Sequence, residues 1–383
     1  MQSRKFFAAA AGALVALSLA ACSGSGAGDT PGTAAPTTSA TAGGLIGVAM
    51  PTQTSERWIA DGDAVKKGLE DLGYTVDLEY ANDDIPTQTQ QIDQMITKGA
   101  KVLIIAAIDG TALSSQLDTA AAAGIKVLAY DRLIRDNKNV DFYVTFDNLK
   151  VGVQQATSLL IGLGVLNADG SAGTAKGPFN IELFAGSPDD NNATFFFNGA
   201  MTVLQPFIDS GVLVVKSGQT DFKQVAIQQW KQDVAQTRME NLLTSAYADG
   251  AKVQGVLSPY DGLSRGIITA LQNASYGPGI DKGMPIITGQ DSEIASVKLI
   301  ADGVQYSSIF KDTRKLAAQA VTTTQALITG AAPEANDTTT YDNGVKVVPS
   351  FLLQSDVVTK DTIQSVLIDS GYWTADQVAA GVA

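Results

Sequence analysis

The sequence predicts an α/β fold made of two parallel sheets, and three observations carry that expectation. Short apolar strands alternate with amphipathic helices in a unit of roughly 25 residues, the pattern of βαβ units. Glycines recur at equivalent helix ends, at Gly73, Gly99 and Gly124 and again at Gly211, Gly250 and Gly283, where the chain leaves a helix through the left-handed conformation. With 383 residues the chain has the length of two ordinary domains, which gives two sheets of roughly 130 residues each.

The first residues stand apart from this pattern. "MQSRKFFAAAAGALVALSLAAC" has Arg4 and Lys5 as a basic start, a short apolar run from Phe6 to Leu19, and small residues after it, the parts of a signal peptide. Cys22, the only cysteine in the chain, falls directly after Leu19-Ala20-Ala21. That spacing is similar to a bacterial lipoprotein processing box, with Cys22 as the lipidated first residue; the alternative is a chance cysteine in a conventional signal peptide. The following "SGSGAGDTPGTAAPTTSATAGG" has no large apolar side chain and cannot bury enough surface to order itself. As a flexible tether it would reach about 25 Å, so the expectation is a globule anchored to a membrane rather than spanning it.

From Leu45 the units succeed one another in order. "LEDLGYTVDLEY", "MITKGAKVLIIAA" and "AAAAGIKVLAYD" each read as helix, glycine, strand. Trp58, Val65, Leu69 and Leu72 form one helical stripe and Ile92, Met95 and Ile96 another. The second half repeats the scheme in "DSGVLVVKSG", "ADGAKVQGVLSPYDG" and "DKGMPIITGQD". Near the end, Asn343-Gly344 in "TTYDNGVKVVPSFLL" is a two-residue hairpin signal that predicts a late pair of strands.

Composition narrows the function. A net charge of −13 argues against nucleic acid, which needs a basic face. The chain has no histidine, so His-based triads, His metal sites and His general bases are excluded. One cysteine permits no internal disulfide. No glycine-rich phosphate loop and no EF-hand spacing occur, and neither a metal nor a cofactor is expected.

The apolar strands share a habit: each gives way to polar residues at its carboxyl end. "VLAYDRLIR" ends in Asp131 and Arg132, and "FYVTFDN" in Asp147 and Asn148. "NIELFAGSPDDNNA" carries Glu182 within the strand and Asp189 to Asn192 beyond it. "GVLSPYDG" gives Asp261, "PIITGQD" gives Gln290 and Asp291, and "YSSIFKD" gives Lys311. Ligands of open α/β sheets bind outside the carboxyl ends of the strands, so these groups can converge in one cleft. Some have a plainer reading: Asp109, Asp189 and Asp190 suit helix caps, and Arg135 a solvated charge or a lobe-edge contact. Asp131 and Arg132, adjacent on a strand, point apart and each needs another partner. Trp58 lies on an apolar stripe yet in a first helical turn beside Arg57, so core and cleft both remain open. Trp230, in the polar "IQQWKQDVAQ", suits an exposed stacking surface. Carboxylates, amides, cations and indole faces together suit a neutral polyhydroxylated ligand. A glycoside hydrolase using two carboxylates, Asp131 and Asp261 for instance, is the enzymatic rival, weakened by the Arg, Lys and Asn neighbours that keep such carboxylates ionised.

Taken in order, "ERWIADG", "YANDDIPTQ", "AAIDGT", "AYDRLIR", "TFDN", "ELFAGSPDDNNA", "SPYDG", "TGQD" and "IFKDT" closely resemble the bacterial multiple-monosaccharide-binding proteins of ABC sugar transporters, near the D-xylose-binding proteins and of the periplasmic binding protein type I fold. The resemblance runs from Leu45 to the C-terminal region. It implies a monomer of two Rossmann-like lobes joined by three crossovers, closing on a pyranose such as xylose, arabinose, galactose or glucose, with a membrane permease as partner and, in some relatives, a sensor kinase or chemoreceptor. The family's sugar contacts fall here on Arg57, Trp58, Asp131, Arg132, Asn148, Asn192, Asp261, Asp291 and Lys311. Trp230 would stack opposite Trp58, with Glu182 and Asp147 as weaker candidates. The expected division is residues 1–21 signal peptide, 22–44 anchor and tether, 45–147 plus about 292–325 first lobe, and 148–291 plus about 340–383 second lobe. Cys22 with its tether departs from Gram-negative relatives and implies attachment to the outer face of the cytoplasmic membrane. The stretch "NADGSAGTAKGPF" reads as a surface-loop insertion away from the site.

Overall fold

The computed structural model describes residues 43–383; the signal-peptide and lipidation expectations at 1–22, and nearly all of the tether, lie outside the described residues. The first sheet comes from β1 (Leu45–Met50), β2 (Thr75–Tyr80), β3 (Val102–Ile105), β4 (Lys126–Tyr130) and β5 (Phe142–Phe146), interleaved with α1 (Glu56–Asp71), α2 (Ile85–Thr97) and α3 (Ser114–Ala122). The second half runs α4 (Asn148–Gly162), β6 (Phe179–Leu183), α5 (Asn191–Asp209), β7 (Leu213–Val215), α6 (Phe222–Val225), α7 (Gln232–Ser245), β8 (Gly255–Leu257), α8 (Asp261–Asn273) and β9 (Ile286–Ile287). The tail adds α9 (Ile294–Ala301), β10 (Ser307–Phe310), α10 (Thr313–Thr329), β11 (Ser350–Leu353), β12 (Asp356–Thr359) and α11 (Ala375–Ala380).

Two parallel sheets result, as expected, in the orders β11-β5-β4-β3-β1-β2 and β7-β6-β8-β9. Strand alternation sends side chains to both faces of the first sheet. Ala49, Leu103, Ile105, Val127 and Ala129 pack with Ile92, Met95 and Leu117 of α2 and α3. Val48, Val102, Ile104, Leu128 and Tyr130 pack with Val65 and Leu69 of α1 and Leu316 of α10. Burial on both faces is what makes parallel strands read as continuous apolar runs. Gly73, Gly99 and Gly124 carry the chain out of α1, α2 and α3 at φ of +88°, +81° and +71°.

The chain crosses between lobes after β5, after β10 and after β11, the three crossovers that the resemblance implied. The tail, however, is divided differently from the expectation. α9 and β10 do not join the first lobe: α9 packs on α8 and α11, and β10 pairs with β12 and bridges through Ile309 to Gln290 beyond β9. Nor does all of 340–383 stay with the second lobe: β11 completes the first sheet beside β5, while β12 and α11 remain with β10 and α9. The reason is that both sheets offer an open edge to a short apolar strand, and composition does not choose between them. Asn343-Gly344 is likewise not the turn of a strand pair. It sits in a loop closed by the Asp342–Val347 bridge, and Asn343 Nδ2 donates to the carbonyls of Ile134 (3.2 Å) and Asn137 (2.8 Å). The insertion at 167–179 closes on itself through the Leu166–Ala172 bridge.

Candidate functional site

A cavity of about 510 Å³ lies between the lobes, lined from the carboxyl ends of strands in both sheets. Thr52, Ser55, Arg57 and Trp58 come after β1, Asp83 after β2, and Asp131 and Arg132 after β4. From the other side come Asp190, Asn192, Phe196, Trp230, Tyr260, Gln290, Asp291 and Lys311. The topology therefore puts these groups where open α/β sheets bind ligands.

The floor is a buried ion cluster. Arg57 Nη2 lies 2.8 Å from Asp61 Oδ2 and 3.1 Å from Asp131 Oδ2, and Nη1 lies 3.6 Å from Asp291 Oδ1. Lys311 Nζ lies 3.1 Å from Asp291 Oδ1 and 3.8 Å from Asp131 Oδ2. Each of these five residues is more than nine-tenths buried. Burial pushes the Asp131 carboxyl up, but Arg57, Lys311 and Arg132 outweigh it and hold the group below the usual carboxylate range. Burial opposes the Arg57 charge, and Asp131, Asp61 and Asp291 overcome that opposition, so its guanidinium holds its proton still more tightly than usual. The backbone at Asp131 is left-handed, φ +58°. Its carbonyl accepts from Tyr143 Oη, Thr145 Oγ1 and Asn192 Nδ2, which over-determines a conformation that costs a non-glycine residue about 1–3 kcal/mol.

Aromatic rings form the walls. The Arg57 and Arg132 guanidinium carbons sit 4.5 and 5.1 Å from the Trp58 ring centroid, so Trp58, only 4% exposed, serves core and cleft at once. Trp230 meets Tyr260 and Phe196 edge-on at 6.0 and 6.4 Å. Its ring lies against Gly186, where a Cβ would come within 1.9 Å of a ring carbon. Gln229 and Trp230 hold consecutive positive φ values of 54° and 55°, a strained turn that presents the indole.

Three buried polar atoms on cavity-lining residues have no hydrogen-bond partner among the described residues: Arg132 Nε, Asp291 Oδ1 and Trp230 Nε1. Arg132 Nε has only an ion-pair neighbour, Asp190 Oδ2 at 3.3 Å. Unpaired buried polar groups are costly, so this set of two donors and an acceptor points to a polar occupant.

Of the expected contacts, Arg57, Trp58, Asp131, Arg132, Asn192, Trp230, Asp291 and Lys311 line the cavity. Asn148 and Asp261 do not; both are fully buried one layer behind. Asn148 Nδ2 donates to Asn192 Oδ1 at 3.0 Å. Asp261 accepts from Gln305 Nε2, Ser308 Oγ and the Glu293 amide, which fixes the loop carrying Asp291. The weaker candidates are also outside. Asp147 caps α4 by accepting from the Lys150 amide at 3.0 Å. Glu182 accepts from Ser217 and Tyr247. Asp190 is the reverse case, because it caps α5 and also lines the cavity. Tyr260, Phe196 and Gln290 are among the lining residues beyond the expected contacts; Tyr260 stands beside Asp261 in "SPYDG", the one signal for it in the sequence.

The lobes touch around the cavity. Ser55 Oγ donates to Glu293 Oε1 (2.5 Å), the Ile294 amide to Glu56 Oε1 (2.6 Å), Gln229 Nε2 to the Asp83 carbonyl (3.3 Å) and Arg135 Nη2 to the Asp189 carbonyl (3.3 Å). Arg135 is thus a lobe-edge contact.

Two α/β lobes with three crossovers and a polar cleft between them define a two-lobed solute-binding protein. Residues 46–332 match the periplasmic binding protein domain, and the chain belongs to that family. It is 58% identical over 335 residues to the multiple sugar-binding periplasmic receptor ChvE of Rhizobium radiobacter, covering 88% of this chain and 92% of that one. It is 37% identical over 329 residues to the D-xylose-binding periplasmic protein of Escherichia coli K12, covering 85% and 90%. Among solved structures, an ABC transporter solute-binding protein from Clostridium phytofermentans with bound β-D-glucose superposes with a TM-score of 0.81 at 47% identity, covering 87% of this chain and 99% of that one. The family is one of extracytoplasmic binding proteins and not of enzymes.

Proposed function

We propose that the chain binds a monosaccharide, an aldopentose or aldohexose pyranose such as xylose, arabinose, galactose or glucose, between its lobes and delivers it to an ABC import permease. Cys22 would be lipidated and hold the globule on the outer face of the cytoplasmic membrane. The observation that carries the sugar reading is the set of buried polar atoms without a hydrogen-bond partner among the described residues, on the ion-paired Arg132 and Asp291 and on the Trp230 indole, that line one cavity between two lobes. The relatives' ligands, D-xylose and β-D-glucose, support the same class.

In this reading Asp131 and Asp291 accept from sugar hydroxyls, while Arg57, Arg132, Lys311 and Asn192 donate. Trp58 and Trp230 cover the apolar C–H faces of the ring. Hydrogen bonds to charged groups contribute about 1.5–3 kcal/mol each, enough to offset lobe closure and lost ligand freedom. A ligand touching both lobes favours the arrangement in which they meet, because only there does it gain both sets of bonds. Calorimetric titration with a panel of aldoses tests the proposal: one-site binding of at least one supports it, and silence across the panel removes it.

A further inference from the structure

Asp61 is a charged residue of the cleft that never reaches the cavity. It lies one turn along α1 from Arg57, fully buried, and does not line the cavity. Its Oδ2 accepts from both Arg57 Nε (3.0 Å) and Arg57 Nη2 (2.8 Å), and its Oδ1 accepts from Tyr130 Oη. Arg57 Nη2 also donates to Asp131 Oδ2 at 3.1 Å. The guanidinium carbon lies 4.5 Å from the Trp58 ring centroid. Its Nη1, the remaining terminal nitrogen, makes no hydrogen bond among the described residues; its ion-pair neighbour is Asp291 Oδ1 at 3.6 Å.

A guanidinium is a rigid fork, so fixing one edge aims the other. With Nε and Nη2 held by carboxylates, rotation about the last bonds of Arg57 is removed, and Nη1 is the donor left to face the cavity. We propose that Asp61, itself locked by Tyr130, is a positioning residue for ligand recognition: it aims Arg57 Nη1 into the cleft, and its ionised state is required for full affinity. This deepens the sugar-binding reading and rests on it.

The ionisation requirement has its origin in the surroundings. Burial raises the Asp61 carboxyl to about 6, against the opposing effects of Arg57 and of the Tyr130 bond. The groups that face it are Arg57 on α1, Tyr130 and Asp131 at the end of β4, Tyr80 at the end of β2, and Tyr372 from the C-terminal segment. The tyrosines stay neutral across this range, their hydroxyls raised further by burial, and Asp131 is already ionised below it. Above pH 7 Asp61 is therefore a carboxylate that grips the fork. As pH falls through about 6 it takes up a proton, its carboxyl loses its charge, and Arg57 keeps only its bond to Asp131 and the longer ion pair to Asp291.

The test is calorimetric titration of the full chain with the tightest-binding aldose, from pH 4.5 to 8, for wild type, Asp61→Asn and Tyr130→Phe. In parallel, the Arg57 side-chain Nε–H resonance of the ligand-free protein is followed by NMR over the same pH range, assigned with Arg57→Lys. The expected result is wild-type affinity that weakens about 10-fold as pH falls through 6, and Asp61→Asn already weakened about 10-fold at pH 7.5 with that step absent. Tyr130→Phe, which keeps the carboxylate, retains the step with a loss of about 3-fold. The Nε–H resonance of wild type shifts with the same midpoint. Asp61→Asn binding like wild type at pH 7.5, or Asp61→Asn weakened but retaining the full step, overturns the proposal. Should wild type bind no aldose, the sugar reading fails on its own, and an Nε–H resonance that does not titrate near pH 6 overturns the positioning role separately.

Discussion

Lys311 Nζ of the second lobe stands 3.8 Å from Asp131 Oδ2 of the first. Arg57 reaches the same carboxylate from its own lobe, so charges of both lobes meet at Asp131, as they do at Asp291. Replacing it with asparagine keeps the shape, removes the charged acceptor and leaves two buried cations with less compensation. Asp131→Asn is expected to weaken aldose binding by about 2–3 kcal/mol, roughly 30- to 150-fold, measured by calorimetry at pH 7.5. A change below 3-fold contradicts the assignment.

Gly186 sets the position of Trp230. A methyl group there would overlap the indole, and the ring cannot retreat because Tyr260 and Phe196 border it. Gly186→Ala should move the ring and weaken binding about 10-fold, a loss of one stacking contact of about 1 kcal/mol or slightly more. Trp fluorescence titration reads both the affinity and the altered emission of Trp230.

The two parallel sheets are legible in the sequence because glycine-ended helices and apolar strands are local signals. The choice of edge for Ser350–Leu353 is not, since strand pairing is decided by which open edge lies nearby in space. The same limit governs the site. Strand-end polarity locates Asp131, Arg132, Asp291 and Lys311, but depth is a tertiary property, so Asn148 and Asp261 look equivalent to them and lie one layer behind. Asp190 has the sequence signature of a cap, and a carboxylate that caps through one oxygen can also line a cavity and pair with Arg132 through the other. Asp61 in "ERWIADG" gives no sign beyond its spacing of four from Arg57, which on an exposed helix would be an ordinary surface pair.

Glu56 and Ser55 at the start of α1 bond to Ile294 and Glu293 at the start of α9. These bonds join the lobes without touching the cavity floor, and a carboxylate at a helix N-terminus is favoured by about 0.3–1 kcal/mol. Glu56→Gln should therefore raise the aldose dissociation rate about 3- to 5-fold with little change in association rate, in stopped-flow fluorescence. An unchanged dissociation rate contradicts a role in holding the lobes together.

Arg132 Nε has an ion-pair neighbour but no hydrogen-bond partner. Arg132→Lys keeps the charge near Asp190 and loses the fork, so an affinity loss of about 10-fold is expected from calorimetry, against near-wild-type binding if only charge matters.

The proposed recognition of a monosaccharide between the lobes places the Asp131–Arg57–Lys311 cluster against the ligand. The sharpest check is calorimetric titration of the chain and of Asp131→Asn with the same aldose panel. One-site binding of at least one aldopentose or aldohexose to wild type is expected, weakened at least about 30-fold in the variant. Absence of binding for the whole panel, or equal binding by both proteins, would overturn it.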